Sequence, residues 1–179
     1  MYARMALGCP DLGTFIIFSG LPGVGKTAIA KRLAHELAAV YLRADAIEEA
    51  LRQSGMIREP MNDAGYRVAY AVAEENLLLG RTVIADSVNP FAITRDAYRS
   101  VATRAGVRAM EVEVVCTDAA EHRRRVENRL NDIAGFDLPA WNQVVNREYH
   151  AWTCEHLVID SARMSVDEAV AMIMQRLKH

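Results

Sequence analysis

The chain has 179 residues, 51% of them hydrophobic and 25% charged, with a formal net charge of −2. That composition excludes a disordered tail and suits one domain with a sizeable core. The near balance of charge gives no general pull toward nucleic acid or an anionic membrane, and no apolar run is long enough to span a bilayer.

The first ten residues, MYARMALGCP, place Cys9 after small residues, as a lipoprotein signal would. The apolar segment before it is too short for a signal core, so the stretch reads as a plain N-terminal tail. TFIIFS, Thr14 to Ser19, is a run of β-branched and aromatic residues. It predicts a strand buried on both faces, as in a parallel sheet.

FSGLPGVGKT follows directly. Gly20, Gly25, Lys26 and Thr27 fit G-x-x-x-x-G-K-[ST], and Gly23 lies inside the loop. Glycines let a backbone turn tightly and bring its N–H groups up to an anion. A helix predicted over KTAIAKRLAHELA adds the positive potential of its N-terminus at the same point. The stretch from Gly20 to Ala28, Val24 included, is therefore the candidate nucleotide-binding segment. Lys26 can reach the β- and γ-phosphates, and the Thr27 hydroxyl can ligate Mg²⁺. The strand before and the helix after are the context that makes this motif specific.

Further short strands are predicted at AVYLR near Val40, TVIAD ending at Asp86, MEVEVVC ending at Cys116 and HLVID ending at Asp160, with helical segments between them. Gly80 and Gly106 read as helix stops. Asp118 with Glu121, and Ser165 with Glu168, have capping-box spacing. NDIAGFDLPA, Asn131 to Ala140, is the most loop-like late stretch. The whole, 1–179, reads as one α/β domain with a mainly parallel sheet.

In open α/β sheets, ligands sit beyond the carboxyl ends of the strands. Asp45 follows the second strand and Asp86 ends the third. Asp86 suits a Mg²⁺-associated carboxylate, and Asp45 suits a general base, with a helix N-cap for AIEEALRQ as its compatible structural role. Arg125 and Arg129 are four apart, so a helix would place them on one face, able to close over a phosphate site. Ser87 and Asn89 could touch substrate, and Arg95 and Arg147 could add phosphate contacts. Trp141, Tyr149 and Trp152 read as core packing along one helical stripe. Glu111 and Glu113 alternate with valines and read as solvent-facing.

The three cysteines, Cys9, Cys116 and Cys154, form no CxxC pair, and the five histidines lack metal-ligand spacing. Both facts argue for a reduced cytoplasmic setting and against a disulfide scaffold or structural zinc.

FIIFSGLPGVGKT, RADAIEEAL, VIADSVNP, EHRRRVENR and LVIDSARMSVDEAVAMIMQRL together resemble the small phosphate-loop kinases. That group includes gluconate kinase, adenylylsulfate kinase, chloramphenicol phosphotransferase and the kinase domain of polynucleotide kinase. The chain looks most like the predicted-kinase branch of ATPases within it. The resemblance implies a three-layer α/β/α fold with a five-stranded parallel sheet of order 2-3-1-4-5 and a mobile lid over roughly 121–139. It implies ATP with Mg²⁺ as phosphoryl donor and a small hydroxyl-bearing acceptor; the lack of a long apolar run and of an extra partner-binding module points to no membrane and no obligate protein partner. Family roles fall on Gly23, Gly25, Lys26 and Thr27, on Asp45 as proton acceptor, and on Arg125 and Arg129 as lid arginines. Several relatives place an arginine three residues after the second-strand aspartate, where this chain has Glu48. An acidic side chain there favours a neutral or cationic acceptor over a phosphorylated or sulfated one. The alternatives are a nucleotide-gated regulatory ATPase acting through a protein partner and a kinase for nucleic-acid 5′-hydroxyl ends. The balanced net charge argues against the latter.

Overall fold

The computed structural model describes residues 13–55 and 60–178. The tail with Cys9 and the start of the stretch near Ile57 lie outside the described residues. The first strand, β1, is Phe15–Ser19, and all five of its residues are buried. Helix α1, Lys26–Leu37, leads to β2, Val40–Arg43, and α2, Ala44–Gln53. Then come α3, Ala64–Leu78, β3, Val83–Asp86, α4, Ala92–Ala105, and β4, Ala109–Val115. The chain continues through α5, Ala119–Glu127, α6, Trp141–Val145, β5, Leu157–Asp160, and α7, Val166–Leu177.

The five strands form one parallel sheet in the order β2-β3-β1-β4-β5. Strand β1 is central, and its period of two sends Ile16 and Phe18 to one face and Phe15 and Ile17 to the other. The first pair packs with Ile29 and Leu33 of α1, Val112 and Val114 of β4, and Ile173 of α7. The second pair packs with Leu77 of α3 and with Tyr98 and Val101 of α4. Each such side chain contributes roughly 1.5–3 kcal/mol when fully buried. The two-sided burial expected of TFIIFS follows from this layering, which leaves the ends of β1, β2 and β3 at one rim. No helix among the described residues is long and apolar enough to cross a membrane.

Several local expectations change. Ser165 and Glu168 form the reciprocal capping box at α7. Asp118 caps α5 through the amides of Ala120 and Glu121, but the Glu121 side chain turns instead to Arg124 and Arg125. Glu111 and Glu113 do not face solvent. Their face of β4 is covered by α4 and by the segment before β5, so Glu111 accepts from Arg99 and Glu113 pairs with His156. Trp141, Tyr149 and Trp152 share no helical stripe, because α6 ends at Val145. Beyond it, the carbonyls of His150 and Ala151 accept from Arg95, and the His150 amide donates to Pro90, so these groups are satisfied without a helix.

Candidate functional site

The rim at the ends of β1, β2 and β3 opens into a cleft of about 1040 Å³. Gly23, Gly25, Lys26, Thr27 and Ala28 line its floor. Gly23 has a φ of 84°, and a Cβ there would lie 2.4 Å from Val126 Cγ2 on α5. Only glycine allows α5 to press this closely on the loop. His122 of α5 adds a second tie: its Nε2 lies 2.8 Å from the Pro22 carbonyl. A carbonyl only accepts, so this fixes the imidazole proton on Nε2. No hydrogen bond among the described residues takes up the amides of Gly23 through Thr27 outside the helix itself. Five glycine-loop and helix-start donors are thus left for an anion at the N-terminus of α1. Two loop residues stand apart from the cleft. The Gly20 amide donates to the Val88 carbonyl at 3.1 Å, and the Val24 side chain belongs to the core.

Lys26 is 7% exposed, and its Nζ donates to the Leu21 carbonyl at 2.9 Å. Burial lowers its pKa to about 8, against the opposing pull of Asp86 and Asp45, while Arg129 and Arg147 push it further down. The ammonium therefore sits among two carboxylates and two guanidinium groups.

Asp86 closes β3 and is 3% exposed. Tyr41 of β2 donates to its Oδ2 at 2.7 Å. Burial, and then the Asp86 charge, push the Tyr41 hydroxyl well above its ordinary range. Asp45 is not a helix cap: β2 runs directly into α2, with extended Arg43 at the cap and Asp45 in the first turn. That position still gives it the helix N-terminus as a favourable partner. Its carboxylate lies 4.0 Å from Arg43 and lines the cleft.

Arg125 and Arg129 do not share a helix face, because α5 stops at Glu127 and Arg129 lies beyond it. Both nonetheless line the cleft. Arg125 is held by Glu121 at 2.7 Å and by Ser161 Oγ at 2.9 Å. The paired arginines Arg124 and Arg125 pull the Glu121 carboxyl down to about 2. Ser87 also lines the cleft, whereas Asn89 is buried and bonded to Ser19 and Tyr66. Arg147 reaches the cleft, but Arg95 does not: it is 2% exposed and fully committed inside the protein.

Three residues were not singled out from sequence. Tyr41 supports Asp86, Arg43 forms a two-bond pair with Asp132 at 2.7 and 3.0 Å, and Tyr66 lines the cleft beside Asp45. The Tyr66 hydroxyl accepts the Asn89 amide at 3.0 Å, and burial pushes its pKa up to about 12. A charged residue closing the apolar strand in VYLR was the one available signal for Arg43.

The donor set suits a hard cation bound together with a phosphate. Thr27 supplies a hydroxyl, and Asp86 supplies a carboxylate whose Oδ1 is not the oxygen taken by Tyr41. Among the described residues no three His, Cys, Asp or Glu side chains gather as a metal cage. Mg²⁺ typically takes one or two protein oxygens and completes its shell with phosphates and water, which matches this set.

Residues 15–145 match the AAA domain family AAA_33. No curated protein matches the sequence. Among solved structures, the APS kinase CysC of Mycobacterium tuberculosis in complex with AMPPNP and APS is 21% identical, with a TM-score of 0.70 over 95% of this chain and 100% of that one. A sugar kinase from Janibacter sp. HTCC2649 is 17% identical, with a TM-score of 0.69 over 93% and 95%. A gluconokinase from Sinorhizobium meliloti 1021 is 18% identical, with a TM-score of 0.61 over 94% and 97%. The chain thus has the fold of small phosphate-loop kinases and belongs to the AAA_33 family of AAA domains.

Proposed function

We propose that the chain transfers the γ-phosphoryl group of ATP to a hydroxyl of a small acceptor. The supporting observation is the convergence on one cleft of buried Lys26, the carboxylates of Asp45 and Asp86, and the guanidinium groups of Arg125, Arg129 and Arg147. Phosphoryl transfer needs little covalent help, but it does need positioning and charge stabilisation.

The amides of Gly23 through Thr27 bind the phosphate chain, and Lys26 neutralises the β- and γ-oxygens. Asp45 takes the proton of the acceptor hydroxyl as the new oxygen–phosphorus bond forms and the bond to the ADP oxygen breaks. Arg125 and Arg129 stabilise charge on the group in transit. Thr27 and Asp86 would hold Mg²⁺, which would supply further charge neutralisation to the transferring group. An APS kinase of the same fold has been solved in complex with AMPPNP and APS, which supports a nucleotide-dependent reading. Here Glu48 and Asp63 line the wall beside Asp45, which suits a neutral or cationic acceptor better than a sulfated one.

The test is ATP consumption against a panel of sugars, amino alcohols, nucleosides and adenylylsulfate, with the phosphorylated product identified. Acceptor-dependent ADP release is expected, and hydrolysis indifferent to every acceptor would sink the reading. Asp45→Asn is expected to lower turnover roughly 10²–10⁴-fold with ATP binding largely kept.

A further inference from the structure

Arg95 of α4 makes an unusual set of bonds for a charged residue that is 2% exposed. Its Nε donates to the Asn89 carbonyl at 3.1 Å, and its Nη2 donates to the carbonyls of Pro90 at 3.1 Å and His150 at 2.9 Å. Its Nη1 lies 3.4 Å from the Ala151 carbonyl. Its Cζ lies over two aromatic rings, 4.8 Å from the centroid of Tyr149 and 4.1 Å from that of Trp152. No carboxylate is among these partners. The charge is compensated by four carbonyl dipoles and two π faces instead.

The partners belong to two separate segments. Asn89 and Pro90 lie in the loop after β3, which is bonded to the glycine loop through Gly20 and Val88. His150, Ala151 and Trp152 lie in the strap between α6 and β5. Two further bonds close the same joint: His150 N to the Pro90 carbonyl at 2.8 Å, and Ala92 N to His150 Nδ1 at 3.3 Å. Immediately before this joint the strap carries Arg147 and Glu148, and both line the cleft. Arg147 is close enough to act on the Lys26 charge.

We infer that Arg95 is a positioning residue that clamps the 146–152 strap to the loop after β3 and so sets Arg147 at the nucleotide end of the cleft. The inference rests on the kinase reading for the use made of Arg147, but the clamp itself stands on geometry alone. Holding in register a loop 5 or 6 positions before Arg95 and a strap 55 or 56 positions after it needs a group with several donors in one plane, which only arginine provides.

Two measurements separate the parts. Hydrogen–deuterium exchange of the strap amides is compared between wild type, Arg95→Lys and Trp152→Leu. Trp152→Leu removes one π face and leaves α4 and its core contacts untouched, so it serves if the arginine variant folds poorly. Faster exchange at 146–152, at least tenfold, with the helix α1 amides unchanged is the expected result. Unchanged strap exchange in folded variants overturns the clamp, whatever the nucleotide data show.

The second measurement is the ratio of ATP to ADP affinity by calorimetry. Arg147→Gln is expected to reduce the ATP preference by about fivefold to tenfold. Trp152→Leu should give part of that loss, and the double variant Trp152→Leu with Arg147→Gln should lose no more than Arg147→Gln alone. Additive losses would show that the strap acts through general stability and overturn the positioning role. A wild-type chain that binds neither nucleotide would overturn the kinase reading, and the exchange data alone would then decide the clamp.

Discussion

The Tyr41 hydroxyl donates to Asp86 Oδ2 at 2.7 Å, joining the edge strand β2 to the end of β3 across the sheet. One oxygen of a carboxylate that is almost fully buried is thereby fixed, and the carboxyl plane is set before any ligand arrives. A hydrogen bond to a charged group is worth about 1.5–3 kcal/mol when well buried. Tyr41 is only partly buried, so the lower end of that range applies.

Tyr41→Phe is expected to cost about 1–2 kcal/mol of stability and to raise the Mg²⁺ concentration needed for half-maximal turnover several-fold. Thermal unfolding reads the first quantity and a Mg²⁺ titration at fixed ATP reads the second. An unchanged Mg²⁺ requirement would show that Asp86 keeps its orientation without the tyrosine.

Lys26 makes the nucleotide site sensitive to pH on the alkaline side. Its folded-state pKa, about 8, lies below its ordinary value of 10.5. Unfolding therefore takes up a proton between those two values, and the contribution of this group to stability rises with pH across that window. Below pH 8 the buried ammonium costs roughly 3 kcal/mol, which phosphate binding recovers. Affinity for ATP is expected to fall by up to about tenfold per pH unit above pH 8, with proton uptake on binding. Calorimetry in two buffers of different ionisation enthalpy measures that uptake. A flat affinity between pH 7 and 10 would place the lysine charge outside the binding event. Lys26→Met should be more stable than wild type at pH 7, with the gap narrowing toward pH 10.5.

What could be read from the chain followed the range of the interactions involved. The buried strand Phe15–Ser19, the glycine loop and the helix after it are set by neighbours in sequence, and composition and periodicity carry that information. The strand-end rule was enough to bring Asp45 and Asp86 to one rim. Tyr41 with Asp86 spans 45 positions, and Arg43 with Asp132 spans 89. Nothing local marks either pair. Glu111 and Glu113 misled because alternation with valine is what a half-exposed strand shows. Here α4 and the strap bring Arg99 and His156 over that face, and the polar row becomes buried and paired. Arg125 and Arg129 reached the same cleft by a different route from the one their spacing suggested, since the helix ends between them.

Gly23→Ala tests how tightly α5 seats on the phosphate loop. The added methyl would meet Val126 Cγ2 at 2.4 Å, on a backbone whose φ of 84° already disfavours a side chain. The strain of a left-handed alanine is about 1–2 kcal/mol, and the steric clash adds to it. ATP affinity is expected to drop at least tenfold, because either α5 moves out or the loop amides turn. Gly23→Ala with Val126→Ala should recover part of the loss by removing the clash alone. No recovery would assign the whole effect to backbone conformation.

Asp132 fastens the segment after α5 to the rest of the cleft wall. It accepts from Arg43 at 2.7 and 3.0 Å and from Lys31 at 3.0 Å, while Gln53 of α2 donates to the nearby Ala134 carbonyl at 2.8 Å. Hydrogen bonding from Arg43, the largest influence, holds the Asp132 carboxyl well below its ordinary value of 3.8. The stabilisation is therefore complete above about pH 4 and is lost as pH falls through the lower folded-state value. Asp132→Asn leaves the Arg43 guanidinium, whose side chain is 6% exposed, without its directly bonded carboxylate, with Asp45 as the remaining anion at 4.0 Å. The aspartate side is 43% exposed and solvent-screened, so the expected cost is about 1–2 kcal/mol rather than that of a fully buried pair. Urea unfolding at a series of pH values should show wild type more stable than Asp132→Asn by that amount at pH 7, with the difference closing in strong acid. Exchange at 130–139 should quicken in the variant at neutral pH. A difference that persists unchanged to pH 2 would mean that Asp132 acts through packing and not through its charge.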